Sequence, residues 1–246
     1  MTIVDEAKIL TGEDIKITKF LSIKQPTVKE VILFGESRYF SMIHSLTSEP
    51  FDMPYYLDEM GIDFETITPF ELFCILIPDI PYEDTQIIFG DLNFSKFKIV
   101  QRDAEIILID SRGEIIDAGV REIIAATLRR MHCLPKNELT SCYNSFAHKL
   151  LIKKQKRDIE QAQKRREMFG EKSEIAALVS SLACEWHSYQ AVLELTISQF
   201  FDATVRGSYK EGAESLLAAL RTGSLSPGSY SKKDLNWRRP ITINPL

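Results

Sequence analysis

The sequence predicts an α+β protein: an N-terminal domain with a small antiparallel sheet and helices, then a charged helical connector and a C-terminal helical block. Three observations carry this. Apolar residues recur at helical spacing through most of the chain, the pattern turns strand-like between residues 86 and 116, and a basic, apolar-poor stretch separates two apolar regions. The boundaries read as 1–148 for the α+β domain, 149–172 for the connector, 173–222 for the helical block and 223–246 for an extended tail.

The elements follow in order. Ile15 to Leu21 alternates apolar and polar residues, the pattern of a half-buried strand. Pro26 to Glu30 opens a helix with Val28, Val31, Ile32 and Phe34 at helical spacing; Gly35 interrupts or ends it, and Tyr39, Phe40, Ile43 and Leu46 resume the spacing. Acids, aromatics and Met fill residues 50–68 around a short helix. Thr68 and Glu71 have the spacing of a capping box for a helix over Phe70 to Ile77, apolar almost all round and stopped by Pro78 and Pro81. Gln86 to Gly90 and Phe94 to Val100 read as strands, and Glu105–Ile109 and Glu114–Ile116 flank Asp110-Ser111-Arg112-Gly113 as a hairpin. Val120, Ile123, Ile124, Thr127, Leu128 and Met131 form one face of a helix over 118–131, ended by Pro135. Helix alone is expected from Asn144: the connector, with i,i+4 pairs Lys154–Asp158 and Lys156–Glu160, then helices over 173–184, 189–206 and 211–221.

Composition limits the function classes. With 246 residues, 44% of them hydrophobic, the chain is able to bury a sizeable core. Its net charge of −5 hides an asymmetry: residues 1–92 carry 6 basic and 17 acidic side chains, so the first part is strongly acidic and the rest basic. An acidic half argues against nucleic acid as the main partner, because phosphates repel it. Cys74, Cys133, Cys142 and Cys184 lack framework spacing and read as reduced, mostly buried thiols of a cytosolic protein. The N-terminal residues lack the apolar run of a signal peptide, and the longest apolar run, Phe70 to Ile80, is far short of a membrane span.

No constellation carries chemistry by spacing. His132, Cys133, Cys142 and His148 are the densest metal-ligand candidates, but no C-x-x-C pair is present, and the set reads as a helix end with a buried thiol and an exposed imidazole. Asp79 reads as a turn residue rather than a nuclease carboxylate, since no acidic-x-Lys element accompanies it. Neither G-x-S-x-G nor a glycine-rich phosphate cradle occurs. The basic stretch 149–166 has no aromatic residue before Phe169, which argues against base stacking. The expectation is a non-enzymatic interaction protein without cofactor or metal.

The order of parts resembles the tail assembly chaperone family of long-tailed phages that infect Gram-positive bacteria. The residues that carry the resemblance are Gln25-Pro26-Thr27-Val28-Lys29-Glu30-Val31-Ile32 with Gly35 and Tyr39, the apolar helix Phe70 to Ile77, and the hairpin before the Ile123 helix. The basic stretch 149–167, the segment Tyr189 to Phe200 and Trp237 in the tail complete it. The resemblance implies a non-enzymatic chaperone in the host cytoplasm, absent from the mature virion. Its partner would be the tape measure protein, around which tail tube subunits polymerise. The family defines no catalytic residues. This chain departs from it in a longer middle hairpin region and a Ser/Pro/Gly-rich tail. A structural component of the tail or head–tail junction and a nucleic-acid-binding protein are the alternatives. On this reading Tyr189 to Phe201 pairs with the helix bearing Leu216, Leu217 and Leu220 to make a client groove, with Tyr189, Gln199 and Phe200 as the contact residues; Phe200 and Leu195 read equally as core.

Overall fold

Residues 15–23 make a hairpin where the alternation predicts one strand. β1 (Ile15–Lys16) pairs antiparallel with β2 (Ser22–Ile23), and Thr18 Oγ1 accepts the N–H groups of Phe20 and Leu21 to hold the turn. Before it lies α1 (Glu6–Thr11). The computed structural model describes residues 6–102, 105–170, 173–225, 230–231, 233–239 and 241. Helix takes 61% of the structure, so the two small antiparallel sheets are inserts in a helical body.

α2 (Val28–Phe34) begins at a capping box: Thr27 accepts from the Glu30 N–H, and the Glu30 carboxylate accepts from the Thr27 N–H. Gly35 ends it at φ 106°, a conformation that side chains with a Cβ avoid, and α3 (Glu36–Thr47) starts at once. α4 (Pro54–Glu59) follows a short 3₁₀ turn, and α5 (Pro69–Leu76) is capped by the expected Thr68–Glu71 box, with Phe70, Leu72, Phe73 and Cys74 buried.

The run Gln86 to Gly90 is not a strand but the last turn of α6 (Tyr82–Phe89). A short apolar run cannot separate the two by period. Here Glu83 and Asp84 suit the positive end of a helix, and Gly90 at φ 61° terminates it. Phe94 to Val100 divides as well: Phe94–Lys96 is a 3₁₀ turn, and β3 (Lys98–Arg102) begins only after it. β3 pairs with β4 (Glu105–Ile109) and β4 with β5 (Ile115–Ile116), setting Leu108 between Ile99 and Ile116. Leu108 and Ile116 face the core and Ile107 is buried, whereas β3 is exposed at every residue.

α7 (Ala118–Met131) has the predicted limits but a different end. His132 and the left-handed Cys133 (φ 52°) close it before Pro135 is reached. α8 (Ser145–Phe169), α9 (Glu174–Trp186), α10 (Tyr189–Leu193) and α11 (Ile197–Arg221) complete the chain. The predicted helices 189–206 and 211–221 are therefore cut differently. The break falls before Thr196, which caps α11 in a box with Gln199, and Gly207 and Gly212 lie inside α11 facing open space. Ile175, Val179, Val192, Ile197 and Phe200 belong to the same hydrophobic cluster as Val28, Phe73 and Leu128. Part of the predicted extended tail lies outside the described residues; 233–239 is a run of turns, with Arg239 over the Tyr209 ring at 4.7 Å.

α7 is the hub, packed against α3, α5 and α11. Its Arg121 and Arg129, hidden from solvent, both pair with the buried Glu49 and donate to the Ser48 and Thr47 carbonyls. A second junction joins the chain's two distant parts. The Val28 N–H donates to the Leu195 carbonyl (2.9 Å) and the Ile197 N–H to the Pro26 carbonyl (2.8 Å), setting the caps of α2 and α11 side by side. A Cβ on Gly12 would meet Thr196 Cγ2 at 2.9 Å, so only glycine fits there.

Candidate partner-binding surface

The basic stretch folds as α8, and its two halves meet different surroundings. Asn144 caps it by accepting the Ala147 N–H. Leu151 and Ile152 pack against the small cluster of Phe51, Leu57, Phe64 and Leu72. Gln155 then clasps the segment before α4, donating to the Asp52 carbonyl (2.6 Å) and accepting from the Tyr55 N–H (2.7 Å). Lys156 lies over the Tyr55 ring at 5.3 Å. The expected i,i+4 ion pairs Lys154–Asp158 and Lys156–Glu160 are not formed among the described residues; an i,i+4 ion pair does form on α11, between Arg206 and Asp202 at 2.9 Å.

Residues 160–170 are all exposed. At 1.5 Å per residue, 160–169 extends about 15 Å. This projecting segment bears Lys164, Arg165 and Arg166 and ends in Met168 and Phe169, 68% and 65% exposed. At the foot of α8 a cleft of 470 Å³ is lined by Phe51, Pro54, Pro135, Leu139, Leu151 and Lys154.

The three residues predicted to touch a client are placed apart in character. Tyr189 opens α10 and is exposed. Gln199 is spent on the fold, closing the α11 cap and donating to the Leu10 carbonyl (2.7 Å). Phe200 is 0% exposed and has no surface to offer. The predicted helical hairpin does not exist either. Leu216, Leu217 and Leu220 lie on the same helix as Phe200, about five turns further along. The sequence marks an unpaired sheet edge near Phe94 to Val100 as a surface that either contacts tube subunits or is covered by the chain's own helices, and Ile99 and Val100 on β3 are exposed. Sequence reasoning missed the exposed Trp186 at the end of α9 and Met168 and Phe169 at the end of α8. No signal for these existed, because exposure of an apolar residue depends on what the rest of the chain covers.

The predicted ligand candidates separate into two places. His132 is buried, not exposed: its Nδ1 donates to the Leu128 carbonyl (2.7 Å), so Nε2 accepts from the Tyr39 hydroxyl (2.8 Å). Burial lowers its pKa to about 4, which keeps the ring neutral, and both nitrogens are occupied. Burial also raises the Cys133 thiol. Cys142 and His148 instead lie beside Asp63 and Glu65. His148 Nε2 is 3.4 Å from Asp63 Oδ1 and 3.8 Å from Glu65 Oε2, and its ring stacks on Phe64 with centroids 4.3 Å apart. The Glu65 N–H donates to Asp63 and, with His148, holds that carboxyl below its usual range. Glu65 Oε1 accepts the Cys142 N–H at 2.6 Å.

Among the described residues no helix is long and apolar enough to cross a membrane. Compared with known proteins, the chain matches no family model, no curated protein and no solved structure.

Proposed function

We propose that this chain is a non-enzymatic tail assembly chaperone that binds the tape measure protein in the host cytoplasm while tail tube subunits assemble. The observation that supports the reading best is α8: a helix fixed at its foot and exposed along its outer part, with a basic flank leading to the exposed apolar residues Met168 and Phe169. A long amphipathic client offers an apolar stripe edged by charge, and a projecting helix of this kind lies along it with both matched. Tyr189, still exposed, and Trp186 add aromatic area on the body. The order of sequence elements supports the family reading, and the exposed outer part of α8 supports the means.

Co-expression with the tape measure protein tests the reading. The chain is expected to co-purify with it, to lose it when Met168 and Phe169 become Ser, and to be missing from purified virions by mass spectrometry. Abundant copies in mature particles would replace the chaperone with a structural component of the tail. Retention on any duplex DNA, lost steeply as salt rises, would replace it with a nucleic-acid-binding protein.

A further inference from the structure

We propose that Asp63, Glu65 and His148 form a binding site for a divalent transition metal of the Zn²⁺ type, which fastens the foot of α8 to the loop between α4 and α5. The inference is independent of the chaperone reading. One ligand atom from each of the three residues lies within 4.8 Å of the other two. A Zn²⁺ ion takes imidazole nitrogen and carboxylate oxygen at about 2.0–2.2 Å, so two ligands of a tetrahedral ion are about 3.4 Å apart. The measured Nε2–Oδ1 and Nε2–Oε2 separations, 3.4 and 3.8 Å, already lie within a few tenths of an ångström of that edge.

The donors are also held in place from behind. The stack on Phe64, itself 1% exposed, fixes the plane of the His148 ring. Asp63 accepts the Glu65 N–H in a local turn, which holds its carboxylate in place. The Cys142 N–H occupies Glu65 Oε1 and leaves Oε2 turned to the imidazole. Outer contacts that orient ligands in this manner are what a metal site needs in addition to its donors. Cys142 belongs to this outer layer through its backbone N–H, which Glu65 accepts. Two carboxylates and a neutral imidazole balance the charge of a divalent ion, and three protein ligands leave a position for water.

A simpler account sets the two carboxylates against the positive N-terminal end of α8, with His148 as an ion-pair partner when protonated. The two accounts differ in the part given to the imidazole, a metal ligand in one and only a partner for Asp63 in the other. Zn²⁺ added to the chelator-treated full chain should bind one equivalent by calorimetry and raise Tm as its concentration rises. Asp63→Asn and Glu65→Gln keep the shape and the backbone hydrogen bonds, so they should fold as before and bind at least about 10–100-fold more weakly. His148→Gln should do the same. Mg²⁺, which prefers six oxygen ligands, should not compete at equal concentration. Co²⁺ in the site should give no thiolate charge-transfer absorption, and Cys142→Ser should retain the metal. Absence of Zn²⁺ binding, or binding unchanged in the two isosteric carboxylate variants, overturns the site. A thiolate–cobalt band overturns the Asp63–Glu65–His148 ligand set.

Discussion

α7 and the outer stretch of α8, residues 160–169, each carry three basic side chains in their sequence, yet they use the charge in opposite ways. On α7 the guanidinium groups of Arg121 and Arg129, 2% and 7% exposed, converge on Glu49 and on the carbonyls that end α3. On α8 these basic side chains belong to a stretch, residues 160–170, that is exposed throughout. A cation in the interior dictates the arrangement of everything around it, because it cannot be left unpaired. A cation on a free helix dictates nothing and is available to a partner. Composition alone therefore does not assign a basic helix its role; what packs on it does.

The most severe test of this contrast is at Glu49. Glu49→Gln leaves two arginines facing a neutral group in the interior and should cost about 3–5 kcal/mol. At about 2–4 °C per kcal/mol for a chain of this size, calorimetry will show a large fall in Tm. A fall of only a degree or two would mean that the network is solvated and that α7 is no hub.

A smaller effect is expected from acid. His132 is neutral in the fold, with its pKa lowered to about 4 by burial, whereas an unfolded histidine has its pKa near 6.5. The unfolded chain therefore binds the extra proton first as pH falls. The stabilising contribution is complete above about 6.5 and disappears on the way down to about 4; in size it is on the order of 3 kcal/mol. Urea midpoints for the native chain and His132→Gln should converge between about pH 7 and pH 4.5. Parallel curves would place the acid sensitivity elsewhere.

The smallest effect belongs to the outer half of α8. Replacing Lys164, Arg165 and Arg166 by Glu should change folding stability by less than about 0.5 kcal/mol, since these side chains touch no core. Partner association should slow, most of all at low salt. A variant that unfolds readily would show that the segment is packed in solution and would erase the difference between the two helices.

The sequence made some of this visible. The capping box at Thr68, the helical spacing after Pro26 and the apolar face of α7 are local signals, and they placed α5, α2 and α7. Thr196 and Gln199 have the same spacing and mark the start of α11, but the apolar run from Tyr189 to Phe201 masked a break that its own cap announces. Gln86 to Gly90 shows the opposite failure, where β-branched residues outweighed the acidic first turn of α6. The buried arginines were not legible, because a charged residue at a core position gives no sign of its partner, and Glu49 lies 72 residues before Arg121. Asp63 and His148, 85 residues apart, were likewise unrelated until α4 met α8. The expected contact Phe200 proved to be core, which neither its neighbours nor its spacing decides.

The junction of Thr27 with Thr196 also sets a clock. A ribosome adds about 5–20 residues per second, so the stretch from Thr27 to Thr196 takes roughly 8–34 s to synthesise. Through that interval α2 lacks the Leu195 carbonyl that receives the Val28 N–H, and α1 lacks the helix it packs on. Val28, Val31 and Ile9, at most 1% exposed in the finished fold, emerge long before all their cover exists. The N-terminal residues are thus the first to be made and among the last to settle. The newborn chain passes through a period in which it is itself in need of shelter.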